Sequence, residues 1–78
     1  MNVIKGELNM LEPKVSDRIK EIRVEYKLSQ SELGKKLSVS QDTVSLWEND
    51  KALPSTEYVI MICKLFEVSA DYLLCLID

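Results

Sequence analysis

From Ser40 to Lys51 the chain carries a run of small polar side chains at helical spacing. Gln41, Asp42, Thr43, Ser45 and Asn49 fall on one side of a short helix. Val44, Trp47 and Glu48 fall on the other. Short hydrogen-bonding side chains on one exposed helix face are the kind that read base edges in a major groove. A merely solvated helix is also polar on its outer side. The face alone therefore does not decide between the two, and the surrounding unit has to.

Other chemistries have no residues to work with. The chain contains no histidine, which removes Ser-His-Asp, Cys-His and His-ligated metal sites. Cys63 and Cys75 lack further ligands for zinc. They are expected as two reduced core thiols of a cytoplasmic protein, with a disulfide the weaker alternative. Gly6 and Gly34 are the only glycines, so there is no Gly-rich phosphate loop. No catalytic residue, metal or cofactor is expected, and an enzyme has no supporting constellation. Met1 to Lys14 lacks the apolar core of a secretory signal, and the longest apolar run, Tyr58 to Cys63, is too short to span a bilayer. No membrane partner is expected.

The 78 residues, 9.0 kDa in all, are enough for one small domain, with no room for a separate sensing module. Such a chain hides only about 60% of its unfolded surface, which favours a small helical core. Residues 1–14 read as an irregular N-terminal extension punctuated by Gly6 and Pro13, and 15–78 as the domain. Val15, Ile19, Ile22 and Tyr26 trace the inner face of a first helix, with Ser16 or Asp17 near its N-cap and Lys27 in its last turn. Ser29 and Glu32 form a capping box that opens a second, with Leu33 and Leu37 inward. Gly34 within that helix implies a close neighbour. Ser40 caps the third. Pro54 interrupts, Ser55 caps a fourth helix over roughly Thr56 to Phe66, and Ser69 opens a short fifth containing Tyr72 and Leu73. The expected fold is all-α, with five short helices. Helices two and three, joined by a tight turn, form a helix-turn-helix packed through Gly34, Val39, Val44 and Trp47.

Net charge is −3, which at first argues against nucleic acid as a partner. Its distribution is uneven. Lys14 to Lys36 holds seven basic and four acidic residues, whereas Leu37 to Asp78 holds two basic and seven acidic ones. The basic half contains the front of the helix-turn-helix. Pairing among Asp17, Arg18, Lys20 and Glu21 on a solvated face of the first helix accounts for part of it. DNA binding is expected to be salt-sensitive and to use few phosphate contacts.

Five segments in order resemble the Cro/C1-type helix-turn-helix proteins, the XRE family: Arg18–Arg23, Leu28–Leu33, Val39–Asn49, Leu53–Ser55 and Phe66–Leu74. The resemblance spans Val15 to Leu74. It implies a compact five-helix lambda-repressor-like domain, usually dimeric on a near-palindromic operator in double-stranded DNA. By this resemblance Gln30 contacts phosphate or supports a base contact. Ser40, Gln41 and Asp42 open the recognition helix, where a glutamine can pair bidentately with adenine. Thr43, Ser45 and Leu46 lie along it, and Asn49 and Lys51 face the backbone. Arg23 and Glu48 match a family ion pair that holds the recognition helix. Several departures bear on which DNA is read. Ser38 and Asp50 stand where glycine is common, Ser38 with positive φ expected. Asp50 and Asp42 put carboxylates near phosphate, and Leu46 is apolar where a polar or basic residue is common.

Helix four has a second apolar stripe, Tyr58, Met61 and Leu65. Together with Leu76 and Ile77 it forms a candidate homodimer interface. Cover by Val3, Ile4, Leu8 or Leu11 of the N-terminal extension is the equal alternative. The expected function is a small transcriptional regulator, a repressor of bacterial or phage type, that occupies an operator as a homodimer. The alternative is a protein-interaction module on the same fold, such as an antitoxin or a subunit bound by a protein partner. Leu46, Asp42 and Asp50 favour it.

Overall fold

The starts of four of the five helices are marked by short-range capping hydrogen bonds. We describe residues 13–77 of a computed structural model. They form α1 (Val15–Glu25), α2 (Gln30–Leu37), α3 (Gln41–Glu48), α4 (Thr56–Phe66) and α5 (Ala70–Leu73). Ser29 Oγ accepts from Glu32 N at 3.0 Å while Glu32 Oε1 accepts from Ser29 N at 2.8 Å, which completes the capping box. The backbone N–H of Ser29 is the main reason the Glu32 carboxyl sits below its ordinary range. Ser40 Oγ accepts from Thr43 N, and Ser69 Oγ from Tyr72 N. Ser55 occupies the N-cap of α4, but its side chain makes no capping bond.

The first helix starts and ends differently from expectation. Its N-cap is Lys14, whose backbone N–H donates to Asp17 Oδ2 at 2.9 Å. Of the two residues expected near the cap, Asp17 serves from the third helical position, whereas Ser16 is buried within the first turn and does not. Lys27 lies beyond the helix, in a left-handed conformation with φ of 57°. Arg18 is not on the solvated face. It is 9% exposed, with its guanidinium 4.1 Å from the centre of the Tyr72 ring. Tyr72 in turn hydrogen-bonds Glu21, which is the main reason its phenol is held above its usual range. This cluster ties α1 to α5, a long-range contact that no local pattern announces.

All five helices finish in the same way. Lys27, Ser38, Asp50, Glu67 and Cys75 each have φ between 55° and 62°. The next N–H reaches back to a helix carbonyl: Leu28 to Arg23, Val39 to Gly34, Lys51 to Leu46, Val68 to Cys63 and Leu76 to Asp71, at 2.8–3.1 Å. This is the six-to-one bond of a Schellman ending, a position usually given to glycine. None of the five is glycine.

Each helix contributes to one core. Ile19 and Ile22 meet Leu33, Leu37, Val44, Trp47, Ile62, Phe66 and Leu73. Tyr26 belongs to the periphery. Half exposed, it lays its ring 4.8 Å from that of Phe66 and donates its hydroxyl to the Phe66 carbonyl. Cys63 and Cys75 are free thiols, each half-buried rather than within the core, and burial pushes the Cys63 thiol up. Among the described residues no helix is long and apolar enough to cross a membrane. Residues 1–12, with Val3, Ile4, Leu8 and Leu11, lie outside the described residues.

Candidate nucleic-acid interface

The placement of α3 is set from behind. Gly34 is buried in α2, and a Cβ built there would stand 2.7 Å from the Val39 carbonyl oxygen and 3.3 Å from Ser40. The neighbour is backbone, which cannot swing aside. The α2–α3 turn therefore packs closer than any side chain at residue 34 allows. Val44 and Trp47 then fill the angle between the helices, at 0% and 4% exposure.

An ion pair pins the far end of α3. Arg23 Nε donates to Glu48 Oε2 at 2.6 Å, and Nη2 to Oε1 at 3.0 Å. The remaining fork nitrogen, Nη1, donates to the Leu28 carbonyl at 2.8 Å. Gln30 Nε2 also donates to Glu48 Oε1, at 3.2 Å. The Glu48 side chain is only 3% exposed, so its charge is compensated by three donors in a nearly dry setting. The hydrogen bond to Glu48 is the main reason the Arg23 guanidinium holds its proton more tightly than usual. Residues from α1, α2 and α3 are thereby locked together.

The outer face divides into tethered and untethered side chains. Thr43 shares a 3.0 Å hydrogen bond with the Ser40 hydroxyl. Asn49 turns back on its own helix and donates Nδ2 to the Ser45 carbonyl and hydroxyl at 2.8 and 3.1 Å. Gln41 and Asp42 are exposed in the first turn, and among the described residues neither side chain has a hydrogen-bond partner. Leu46 is 47% exposed. Lys51 projects from the loop after α3, but its backbone N–H is committed to Leu46. Asp50 is not a bare carboxylate, since Lys14 Nζ meets its Oδ2 at 3.2 Å. Sequence reasoning missed that contact, because thirty-six residues separate the partners.

The helix-turn-helix family model matches residues 19–73, most of the chain. The chain belongs to the helix-turn-helix family of Cro/C1 (XRE) type. This helix-turn-helix protein is 35% identical over 60 residues to Repressor protein C2 of Salmonella phage P22, covering 77% of this chain and 28% of that relative. It is 34% identical over 59 residues to the HTH-type transcriptional activator BcrR of Enterococcus faecalis, covering 76% of this chain and 29% of the relative. The chain thus spans under a third of the length of either. Among solved structures, the P22 c2 repressor in complex with a synthetic operator superposes with a TM-score of 0.74 at 34% identity. That match covers 80% of this helix-turn-helix chain and 94% of the other. These neighbours place it in the lambda-repressor-like all-α fold.

The candidate dimer residues do not form one uniform stripe. Tyr58 is half-buried, with its ring 5.5 Å from that of Trp47, so it serves the protein's own core. Met61, Leu65, Leu76 and Ile77 are 38%, 44%, 70% and 55% exposed, and Ile60 and Leu74 add to them.

Proposed function

We propose that this protein binds double-stranded DNA sequence-selectively, as a homodimer on a near-palindromic operator, and regulates transcription by occupying it. The observation that carries the reading is the contrast across α3. Its inner side is fixed by Gly34 and the Arg23–Glu48 pair, while Gln41 and Asp42 stand exposed and untethered in its first turn. A rigid helix presenting free polar side chains from its N-terminal turn is the geometry of major-groove readout. The operator complex of the P22 repressor, a structural neighbour, supports the same reading.

The roles divide accordingly. Gln41 supplies a donor and acceptor to a base edge, and Asp42 can accept from a cytosine amino group. Leu46 meets a thymine methyl. Ser40, Thr43 and Ser45 hold the helix and its first turn together while lying beside the groove. Gln30 commits one amide hydrogen to Glu48 and keeps the other for phosphate. Lys51 and the free carboxamide oxygen of Asn49 lie at the backbone edge. Met61, Leu65, Leu76 and Ile77 supply the contact between protomers, and residues 15–78 act as the binding unit.

A protein-interaction module is the second reading. It is favoured by one observation, the half-exposed Leu46 at the middle of the outward face. Selection from a pool of random duplexes at two salt concentrations separates the two. The DNA reading expects enrichment of a near-palindrome, with affinity falling as salt rises. Absence of enrichment even at low salt overturns it. Within the enriched site, Gln41→Ala is expected to lose about 1–3 kcal/mol of discrimination at one base pair in each half-site.

A further inference from the structure

Asp50 is the least suitable residue in the proposed interface, and the structure shows how its charge is met. It lies just past Asn49, the C-cap of α3, and next to Lys51. With φ of 58° it occupies the left-handed position of the helix ending. The turn is held by Lys51 N–H and Ala52 N–H, which both donate to the Leu46 carbonyl at 2.9 and 3.3 Å. Those amides are therefore spent, and any phosphate passing here must be attracted by side chains. A bare carboxylate beside the Lys51 ammonium would cancel that attraction.

Lys14 supplies the missing charge. It is the N-cap of α1, so its backbone is fixed by the first turn of that helix and by the bond from its N–H to Asp17. Its ammonium lies 3.2 Å from Asp50 Oδ2, with the two side chains 55% and 49% exposed. An ion pair this exposed adds little to folding. Its consequence is electrostatic and local, within the Debye length of any phosphate on Lys51.

We propose that Lys14 is a positioning residue of the DNA-binding surface. It neutralises Asp50 and so leaves Lys51 free to attract phosphate at the end of the recognition helix. This inference rests on the DNA reading above and adds a residue from outside the helix-turn-helix to it. A carboxylate in a position where glycine is common is tolerated because a lysine thirty-six residues earlier covers it.

A double-mutant cycle tests the inference, using the full chain and the duplex enriched from the random pool. Lys14→Met is expected to weaken binding about fivefold at low salt, the order expected for one exposed charge. Asp50→Asn alone leaves the Lys14 charge uncancelled, so it should bind at least as tightly as the native chain. Asp50→Asn added to Lys14→Met should restore most of the lost affinity, and Lys14→Arg should keep the native value. Thermal midpoints of all four variants should stay close together, which separates masking from a folding defect. A double variant as weak as Lys14→Met would mean that the Asp50 charge is not what Lys14 offsets and that Lys14 contacts phosphate itself, and would overturn the inference alone. Unchanged binding by Lys14→Met would also overturn it. A native chain that retains no duplex at all overturns the DNA reading and this inference together.

Discussion

The two faces of this small domain are built on opposite terms. On the front, α2 and α3 bring polar groups together and satisfy them. Glu48 receives three donors, Asn49 folds onto Ser45, and Ser40 closes the first turn of α3. On the back, α4 and the residues after α5 leave Ile60, Met61, Leu65, Leu74, Leu76 and Ile77 at 38–70% exposure. The front is rigid in itself and offers a few free side chains. The back, among the described residues, leaves apolar area exposed. A DNA reader needs both kinds of surface, because base contacts demand fixed geometry and half-site spacing demands a second protomer.

The largest expected effect lies on the front. Arg23→Ala strips two donors from Glu48 and leaves a nearly buried carboxylate with only Gln30. The loss should be about 3 kcal/mol, the lower end of the range for breaking a buried pair, measured by urea denaturation. Truncating Leu76, on the back, should change stability by less than about 0.5 kcal/mol. If the two truncations cost the same, the division between a self-satisfied front and an exposed apolar back fails.

Self-association gives the next test. Met61→Lys with Leu65→Lys should leave the fold intact and weaken the dimer at least about tenfold, since two desolvated charges have no partner across a symmetric contact. Sedimentation of both forms across micromolar concentrations reads the effect. A native chain that stays monomeric at high micromolar concentration removes the role assigned to the back face.

The same division explains what could be read from sequence. Helix starts were legible because Ser29–Glu32, Ser40 and Ser69 act within three residues of their partners. Gly34 announced a close approach, and the family resemblance located Arg23 against Glu48. Contacts between distant residues of unremarkable type were not legible. Arg18 on Tyr72 and Lys14 on Asp50 each engage a charged residue that, by local spacing, belongs on a solvated surface. The untethered state of Gln41 and the tethered state of Asn49 are likewise properties of packed geometry. On α4, Tyr58 shares a helical stripe with Met61 and Leu65. Only the position of the Trp47 ring shows that it faces inward.

The family resemblance marked Ser38 and Asp50 as glycine positions, and Ser38 has the positive φ expected of it, but the other helix ends were hidden for a different reason. The usual signal is glycine, and here five other residues do its work, so the price is conformational strain. Ser38 is the most informative of them. Its φ of 60° lets the Val39 N–H reach the Gly34 carbonyl at 2.9 Å, and that bond sets the turn into α3. Ser38→Gly should relieve about 1–2 kcal/mol of left-handed strain while adding about 0.5–1 kcal/mol of unfolded-state freedom. The net gain, about 0.5 kcal/mol, should raise the thermal midpoint by a few degrees in a domain of this size. Asp50→Gly gains the same backbone relief, but it also removes the partner of Lys14. It should therefore stabilise less than Ser38→Gly in low salt and approach it as salt screens the pair. Equal gains at every salt concentration would show that the Lys14–Asp50 pair contributes nothing to the fold. Its meaning would then lie wholly in what approaches the front face.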